Sequence, residues 1–420
     1  MTNTIDYNLN GQQYRLNVTI NDVQIPTQNI QHFYIREWIF DHILTMDCEF
    51  MDVGTFVELN PLYDEAVVHI EFSKNANEDS VVLDFYVNDF EIDRQGINET
   101  IYYIHFTAVQ KTTNFLMPVQ TRVFANEIVS DIVEQIAEEN DLTYVKKIES
   151  NDLQNWYQIA ISNQDFISHL KKRSYIADED IPFIYMTRDE ELVYTSLKTE
   201  CESNVKFDAY MNDVLVNDNG DDLALSKVSN ITEKDSKIKQ LYFRSDIKYK
   251  TISGTLNKTD GYGISFSYYD FKDFYYHYLN FNYGPMTKYV NENKNNSKQV
   301  VDTITYNALH KNVHANYLLG VTQNLYLGYL FFNSYIQISI RPDFDVKLFD
   351  KLNVIIPDAT SQQLDNTTRI DKVHSGEYIV GGILHDIQKN GLYSMILILF
   401  RNGVNSSDVQ VTNNLMESSK

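Results

Sequence analysis

Residues 14–111 alternate between hydrophobic and polar side chains, which is the period of β-strands with one buried face. The alternation is clearest at 67–72, 81–90 and 101–109. Polar breaks separate these runs, and the break at 93–98 is typical of a turn between two long strands. The pattern predicts an antiparallel sheet or a small barrel for this part of the chain.

The spacing of apolar residues becomes helical in the next part of the chain. Apolar residues recur at intervals of three and four from 128 to 136, and they predict a helix over 126–139 with Asn126 as its N-cap. A second helix is predicted over 163–177, with the basic residues Lys171–Arg173 facing water. Apolar runs on either side of a charged tip predict a β-hairpin over 183–197. Residues 119–200 therefore form an α+β module inserted between β-rich parts.

Strands are predicted again after residue 204, and a long hairpin ends the folded part of the chain. The predicted strands are 205–210, 238–243, 247–254, 335–340 and 352–356, and the segments with helical spacing are 301–309 and 312–323. The hairpin spans Tyr378–Asn402 and turns at Lys389–Gly391, because Asn-Gly tolerates the positive φ of a type I′ turn. The run Met395–Phe400 has no polar face, so this strand must be covered on both sides.

This last hairpin weakly repeats a pattern from the first part of the chain. Aligning Val87 with Val380 brings Phe90 onto Ile383, and each segment then turns and enters an apolar strand. Hairpins also resemble one another by chance, so shared ancestry and coincidence both remain open. The match predicts two similar β domains, one at each end, with the helical module between them.

The composition is acidic and rich in tyrosine. The 420 residues carry a formal charge of -23, which argues against a surface that binds duplex nucleic acid. Two cysteines, Cys48 and Cys201, are too few for a disulfide framework, so a reduced cytoplasm is the expected compartment. We expect no secretory signal and no membrane span, since Gln323 and Asn324 interrupt the longest apolar run. The 30 Tyr and 23 Phe suit sheet surfaces and subunit interfaces.

Histidine and glycine motifs are incomplete. His310 and His314 have the spacing of a zinc pair, but Lys311 stands where a metalloprotease carries its Glu, so ordinary surface or core histidines are favoured. Gly381 and Gly382 lie inside a predicted strand, which favours a bulge or a close backbone approach over phosphate binding.

Acidic and aromatic runs also have ordinary explanations. Carboxylate neighbours at 178–180 and 190–191 could serve a glycosidase, but 58 acidic residues make such neighbours common. Residues 217–222 resemble part of a calcium loop without its closing Glu, and we interpret them as a turn. The aromatic patch 266–278 lacks basic residues beyond Lys272, which favours packing or a subunit contact over sugar or base stacking. We therefore expect no catalytic residue, no metal and no cofactor, and we favour a structural role.

Three segments carry a resemblance to a known family. They are the helix from Asn163 with the hairpin Phe183–Leu197, the segment Asp343–Ile356, and the closing hairpin Glu377–Phe400. In this order the chain resembles the central baseplate hub of contractile-tailed bacteriophages, a family to which the base of the type VI secretion spike is also related. Residues 257–315 depart from the family pattern through their aromatic content.

The resemblance implies a β-rich α+β fold with two tube-like antiparallel β-barrel or sandwich domains. The implied divisions are 1–117 for the first tube-like domain, 118–204 for the α+β module, 205–256 with 316–402 for the second, discontinuous tube-like domain, 257–315 for an aromatic-rich insertion and 403–420 for a disordered tail.

The resemblance also implies a role in the virion. Hubs of this family form homotrimers whose two tube-like domains per chain make a pseudo-sixfold ring, which adapts the sixfold tail tube to the threefold cell-puncturing spike. The implied partners are the central spike, tail tube or tube-initiator proteins and baseplate wedge proteins, assembled in the host cytoplasm, without sequence-specific nucleic-acid binding. An acidic ring would repel DNA and let it pass. The alternatives are a tail-associated cell-wall hydrolase with carboxylates in 257–315, and a carbohydrate-binding adhesin that uses the aromatic patch.

Overall fold

The computed structural model of the chain is a β-rich α+β fold, as the sequence predicted. It describes residues 6–9, 12–52, 56, 60, 66–73, 80–94, 101–111, 119–211, 215–216, 222–223, 239–244, 247–251, 263–270, 275–282, 314, 316–332, 334–340, 342–356, 371, 373–388 and 393–401. The predicted tail at 403–420, the predicted helix at 301–309 and the turn Lys389–Gly391 lie outside these residues.

The N-terminal part is an antiparallel sheet with an apolar inner face. Its elements are β1 (Asp6–Leu9), β2 (Gln12–Ile20), β3 (Val23–Gln24), a 3-10 turn (Thr27–Asn29), β4 (Ile30–Trp38), β5 (Thr45–Asp52), β6 (Val67–Ser73), β7 (Val81–Arg94) and β8 (Tyr102–Gln110). The strands lie in the order β1-β2-β6-β7-β8-β5-β4. Buried and half-buried residues alternate along β5, so Met46, Cys48 and Phe50 enter the core. β7 continues to Arg94, past the start of the turn predicted at 93–98.

The middle part is the α+β module. Its elements are β9 (Gln120–Glu127), α1 (Val129–Glu139), β10 (Thr143–Lys146), β11 (Gln154–Ile161), α2 (Asn163–Arg173), β12 (Pro182–Met186), β13 (Glu191–Ser196) and α3 (Leu197–Cys201). β9 pairs with β11, and β10, β13 and β12 form a second small sheet. The hairpin predicted over 183–197 is confirmed by the antiparallel pairing of β12 with β13.

Helix α1 begins later than predicted, and the prediction of Asn126 as its N-cap is wrong. Asn126 belongs to β9 and has a left-handed φ of 58°. The first N–H groups of α1 are satisfied from a distant segment instead: the Val129 N–H donates to Asp152 Oδ1 (2.9 Å) and the Ser130 N–H to Ser150 Oγ (3.1 Å). A cap supplied from so far along the chain leaves no local sequence signature.

Helix α2 begins at Asn163, where it was predicted, because Ser162 caps it. The Asp165 N–H donates to Ser162 Oγ (3.1 Å). The helix ends at Arg173 rather than at 177, since Ser174 adopts an extended conformation.

The C-terminal part closes into a barrel. Its elements are β14 (Phe207–Met211), β15 (Leu215–Val216), β16 (Asp222–Leu223), β17 (Lys239–Phe243), β18 (Lys248–Thr251), β19 (Gly263–Asp270), β20 (Tyr275–Asn282), α4 (Tyr317–Phe331), β21 (Ser334–Ile340), β22 (Lys351–Ile355), β23 (Gly376–Gln388) and β24 (Tyr393–Arg401). The pairings run β23-β22-β14-β17-β21-β24 and return to β23. β14 is parallel to both β22 and β17, so the ring mixes parallel and antiparallel pairs.

Helix α4 differs from the prediction of a helix over 312–323, because it begins at Tyr317 and continues to Phe331. Its polar residue Gln323 is buried and donates through Nε2 to the carbonyl oxygens of Ala177 and Asp180 (2.9 Å each). These hydrogen bonds connect α4 to the loop that follows α2. Within the described ranges, no helix is long and apolar enough to cross a membrane.

Strand β4 joins the N-terminal sheet to the barrel. Its pairing with β23 runs from Trp38 opposite Gly382 to His32 opposite Gln388. β23 pairs with β22 over 376–379 and with β4 over 382–388. One fifteen-stranded sheet therefore runs through both β parts.

The β12–β13 hairpin lies between two hydrophobic cores. Ile184 and Met186 pack in the core shared by the N-terminal sheet and the helices α1 and α2. Phe183 and Tyr185 pack in the core of the barrel. Every residue of β12 is buried, because alternate side chains of the strand enter different cores. This position explains the unbroken apolar run of β12.

Candidate functional site

Among the histidines and cysteines noted in the sequence, the structure describes His314, Cys48 and Cys201. His310 lies outside the described residues, and His314 is buried beside Trp156 and Tyr175, with ring centroids 6.4 Å apart in each pair. Cys48 and Cys201 are free thiols, and burial raises the pKa of Cys201 to about 11. Over the ranges that the structure covers, no group of three His, Cys, Asp or Glu could hold a metal ion.

The acidic candidates lie in or beside turns, and Asp180 has structural partners. Asp180 is buried, and its Oδ1 accepts hydrogen bonds from the Ile181 and Lys198 N–H groups (2.9 Å each). Glu190 is exposed in the β12–β13 turn with a left-handed φ of 59°. Residues 217–222 lie almost entirely outside the described residues. Of the aromatic patch 266–278, residues 266–270 belong to β19 and 275–278 to β20, and 271–274 lie outside the described residues.

Gly381 and Gly382 allow a bulge and a close approach, as predicted. The pairing of β23 with β24 shifts by one residue between Val380 and Gly382. A Cβ on Gly381 would overlap the ring of Phe400, and a Cβ on Gly382 would overlap the ring of Trp38. The two glycines thus let aromatic side chains of the neighbouring strands β24 and β4 lie directly on the backbone of β23.

The N-terminal hairpin carries a bulge at the aligned position. The pairing of β7 with β8 shifts by one residue between Val87 and Asp89. The sequence alignment places Val87 on Val380, so each hairpin bulges at the residue that follows the aligned valine. The similarity of the two hairpins therefore extends beyond their apolar pattern to an irregularity of backbone pairing.

Three charged or polar side chains from different parts of the chain meet in a buried node. Glu37 comes from β4, Arg188 from the β12–β13 turn and His385 from β23. His385 Nε2 lies 3.0 Å from Glu37 Oε1, and Arg188 Nη1 lies 3.6 Å from the same oxygen. Arg188 Nη2 also donates to the carbonyl oxygen of Val346. The sequence predicted a charged tip for this hairpin, and the structure buries one of its charges, because the Arg188 side chain is only 4% exposed.

Burial and pairing set the protonation states of this node. Burial raises the pKa of Glu37, but the Arg188 guanidinium and the hydrogen bond from His385 outweigh it and bring the pKa below its ordinary value. Burial lowers the pKa of His385. At neutral pH the node therefore holds a Glu37 carboxylate, a cationic Arg188 and a neutral His385. The His385 Nε2–H donates to Glu37, and its Nδ1 accepts from the Tyr393 hydroxyl (2.9 Å).

A second buried carboxylate, Asp152, organises the α+β module. Its Oδ1 accepts from the Val129 N–H (2.9 Å) and the Ser150 hydroxyl (2.7 Å). Its Oδ2 accepts from the Ser174 hydroxyl (2.7 Å) and the Tyr175 N–H (3.1 Å). Asp152 is fully buried, so these hydrogen bonds replace its hydration while they join the start of α1 to the residues after α2.

Sequence reasoning missed Glu37, Arg188 and Asp152. One signal was available for Glu37, because the alternation of β4 puts it on the same inward face as Phe33 and Ile35. A charge at an inward position of a strand calls for a buried partner. Arg188 and Asp152 stand in polar segments without such a pattern.

The outer face of the β9–β11 pair is apolar and exposed. The large apolar side chains in these strands and directly before them are between 45% and 67% exposed: Val119, Val123, Leu153, Tyr157 and Ile159. Val123 and Tyr157 stand directly opposite each other in the register. The inner face packs Phe124 and Trp156 into the core. An apolar outer face of this kind is typical of contact surfaces in assemblies.

The chain as a whole has the fold of bacteriophage tail proteins. It is similar to the 43 kDa tail protein of prophage MuSo2 from Shewanella oneidensis, with a TM-score of 0.57 and 9% sequence identity over 93% of this chain and 98% of that one. It is also similar to a tail protein from Neisseria meningitidis MC58, with a TM-score of 0.54 and 8% identity over 94% of this chain and 98% of that one. No protein-family model and no curated protein matches the sequence. The resemblance to phage tail proteins is therefore confirmed at the level of the fold.

Proposed function

We propose that this chain is the structural hub of a bacteriophage tail baseplate. The observation that carries the proposal is the end-to-end likeness to two tail proteins, which spans 98% of each of them. A likeness confined to one domain would fit many roles, because folds are shared between functions. A match over the whole order of parts favours a shared structural role without enzymatic activity.

In this proposal, two similar β domains face the tail channel. The first tube-like domain is 1–117, the α+β module is 118–204, and the second tube-like domain combines 205–256 with 316–402. The bulge that β7–β8 and β23–β24 share supports the similarity of the two domains. Three chains would then present six similar faces, which suits an adaptor between a sixfold tail tube and a threefold spike. The charge of -23 would help DNA to pass without adhering.

The proposed partners are a trimeric spike, tail tube or tube-initiator proteins and baseplate wedge proteins in the virion. The exposed apolar face of β9 and β11 supports an assembly role, since isolated proteins rarely expose so many large apolar side chains together.

Mass measurement in solution tests the proposal. Light scattering after size-exclusion chromatography should give three times the 49.0 kDa of the chain, and electron microscopy should show threefold rings with a central hole. The same preparation should neither degrade bacterial cell wall nor bind its glycans. A monomer that hydrolyses cell wall would contradict the hub proposal and favour a cell-wall hydrolase. A monomer that binds carbohydrate would contradict it and favour an adhesin.

A further inference from the structure

A cleft lies between the last turn of α2 and helix α4. Its volume is about 1060 Å³. One wall is basic and is formed by His169 and by Lys171–Arg173 at the end of α2. The other wall and the floor are mainly apolar and include Phe40, Phe183 and Phe332. A cleft of this size can take several side chains of a ligand.

Lys171 is the central cation of this cleft, and the expectation that it faces water is wrong. It is half-buried, and its Nζ lies 5.2 Å from the ring centroid of Phe40 and 5.1 Å from that of Phe183. Burial lowers the pKa of Lys171 to about 8. The nearby carboxylate of Asp41 is paired with Arg36 at 3.0 Å. Within the described residues, no carboxylate lies within ion-pair distance of the Lys171 Nζ.

The charge of the cleft is opposite to that of the chain. Among the described residues that line it, the charged side chains are basic and none is Asp or Glu. The whole chain carries a formal charge of -23. The basic residues do complement the negative end of the α2 dipole, but that role does not require a cleft with aromatic walls. A ligand that brings a carboxylate would supply the counter-ion that Lys171 lacks.

The shape of the cleft favours a peptide over a nucleic acid. The basic residues are consecutive on one helical turn, so they reach one or two anionic groups rather than the regular phosphates of a strand. The apolar wall formed by α4 needs apolar side chains opposite it.

We propose that this cleft is a docking site for a short peptide segment of another protein, in which one or two carboxylates stand beside large apolar side chains. The carboxylates bind Lys171 and Lys172, and the apolar side chains pack between Phe40, Phe183 and α4. The inference rests on the cleft alone and is independent of the oligomeric state of the chain.

Fluorescence anisotropy with the full chain tests this site. The probe is a fluorescein-labelled peptide that repeats Glu-Phe-Asp-Leu. It should bind saturably, and the double variant Lys171→Gln/Lys172→Gln should bind it about tenfold more weakly, as expected for the loss of charge-assisted hydrogen bonds. A matched double variant, Lys248→Gln/Lys250→Gln, removes two exposed lysines of β18 and should bind like the unmodified chain.

Altered probes separate the contributions of charge and apolar contact. A peptide with Gln and Asn for the carboxylates, and one with Ser for Phe and Leu, should each bind about tenfold more weakly. If Lys171→Gln impairs folding, the exposed Lys172→Glu alone should still weaken binding, because it reverses a charge of the basic wall. Absence of saturable binding, equal losses in the two double variants, or tighter binding of a single-stranded oligonucleotide would overturn the proposal.

Discussion

Glu37 Oε1 and Arg188 Nη1 lie 3.6 Å apart, with 3% and 4% of their side chains exposed. The pair joins β4 to the β12–β13 turn, and through His385 it also joins β23 of the barrel. The N-terminal sheet, the α+β module and the barrel therefore share one buried charge pair. Such a pair is sensitive to the loss of one member, because the other is left buried without its counter-ion.

Removal of Arg188 alone should be strongly destabilising. We expect Arg188→Met to lower the free energy of unfolding by about 3–5 kcal/mol, because the Glu37 carboxylate would remain buried. The double variant Glu37→Gln/Arg188→Met should recover most of that loss. Urea unfolding of the single and double variants measures both values.

The exposed pair Arg36–Asp41 is the control for this experiment. Its atoms lie 3.0 Å apart, and 48% of the Arg36 side chain is exposed. Arg36→Met should therefore cost less than about 1 kcal/mol. Equal effects at Arg36 and Arg188 would contradict the role assigned to the buried pair.

Two glycine-to-alanine substitutions should change stability in opposite directions. Gly382→Ala places a Cβ in the ring of Trp38 and should lower the free energy of unfolding by about 1–3 kcal/mol. Gly328→Ala in α4 meets no atom within 4 Å and should raise it by about 0.5–1 kcal/mol, because alanine favours the helix. Thermal and urea unfolding of the two variants provide the comparison, and a stabilising Gly382→Ala would disprove the close approach of β4.

Acidification should weaken the fold through His42. The ring is buried, its Nδ1–H donates to the Ile184 carbonyl (2.9 Å), and burial lowers its pKa to about 3. In the unfolded chain the pKa is about 6.5, so the unfolded state binds the proton first as the pH falls. Neutral His42 therefore makes its full contribution to the free energy of unfolding above pH 6.5, and this contribution is lost progressively between about pH 6.5 and 3.

The variant His42→Gln isolates this effect. Between pH 7 and 4.5, the free energy of unfolding should fall by about 2–3 kcal/mol less in this variant than in the unmodified chain, because the glutamine side chain does not titrate. Urea unfolding at the two pH values gives the difference. Equal losses in both proteins would show that His42 can be protonated inside the fold.

Local patterns predicted most strands and the start of α2, because period-two alternation and a Ser cap are properties of adjacent residues. They failed at Asn126, where the cap of α1 comes from Asp152. They failed again at Lys171, since Phe40 lies far away in sequence but covers its Nζ in space. Each error concerns a contact between distant segments.

The sequence by itself determined the β-rich class, the inserted helical module and the closing hairpin with its paired glycines. Periodicity and glycine content carry that information locally. The tertiary structure alone decided that β4 pairs with β23, that Arg188 turns inward to Glu37 and that α2 and α4 enclose a basic cleft. These features depend on which surfaces meet when the two cores form, and burial then fixes the charge state of each enclosed group.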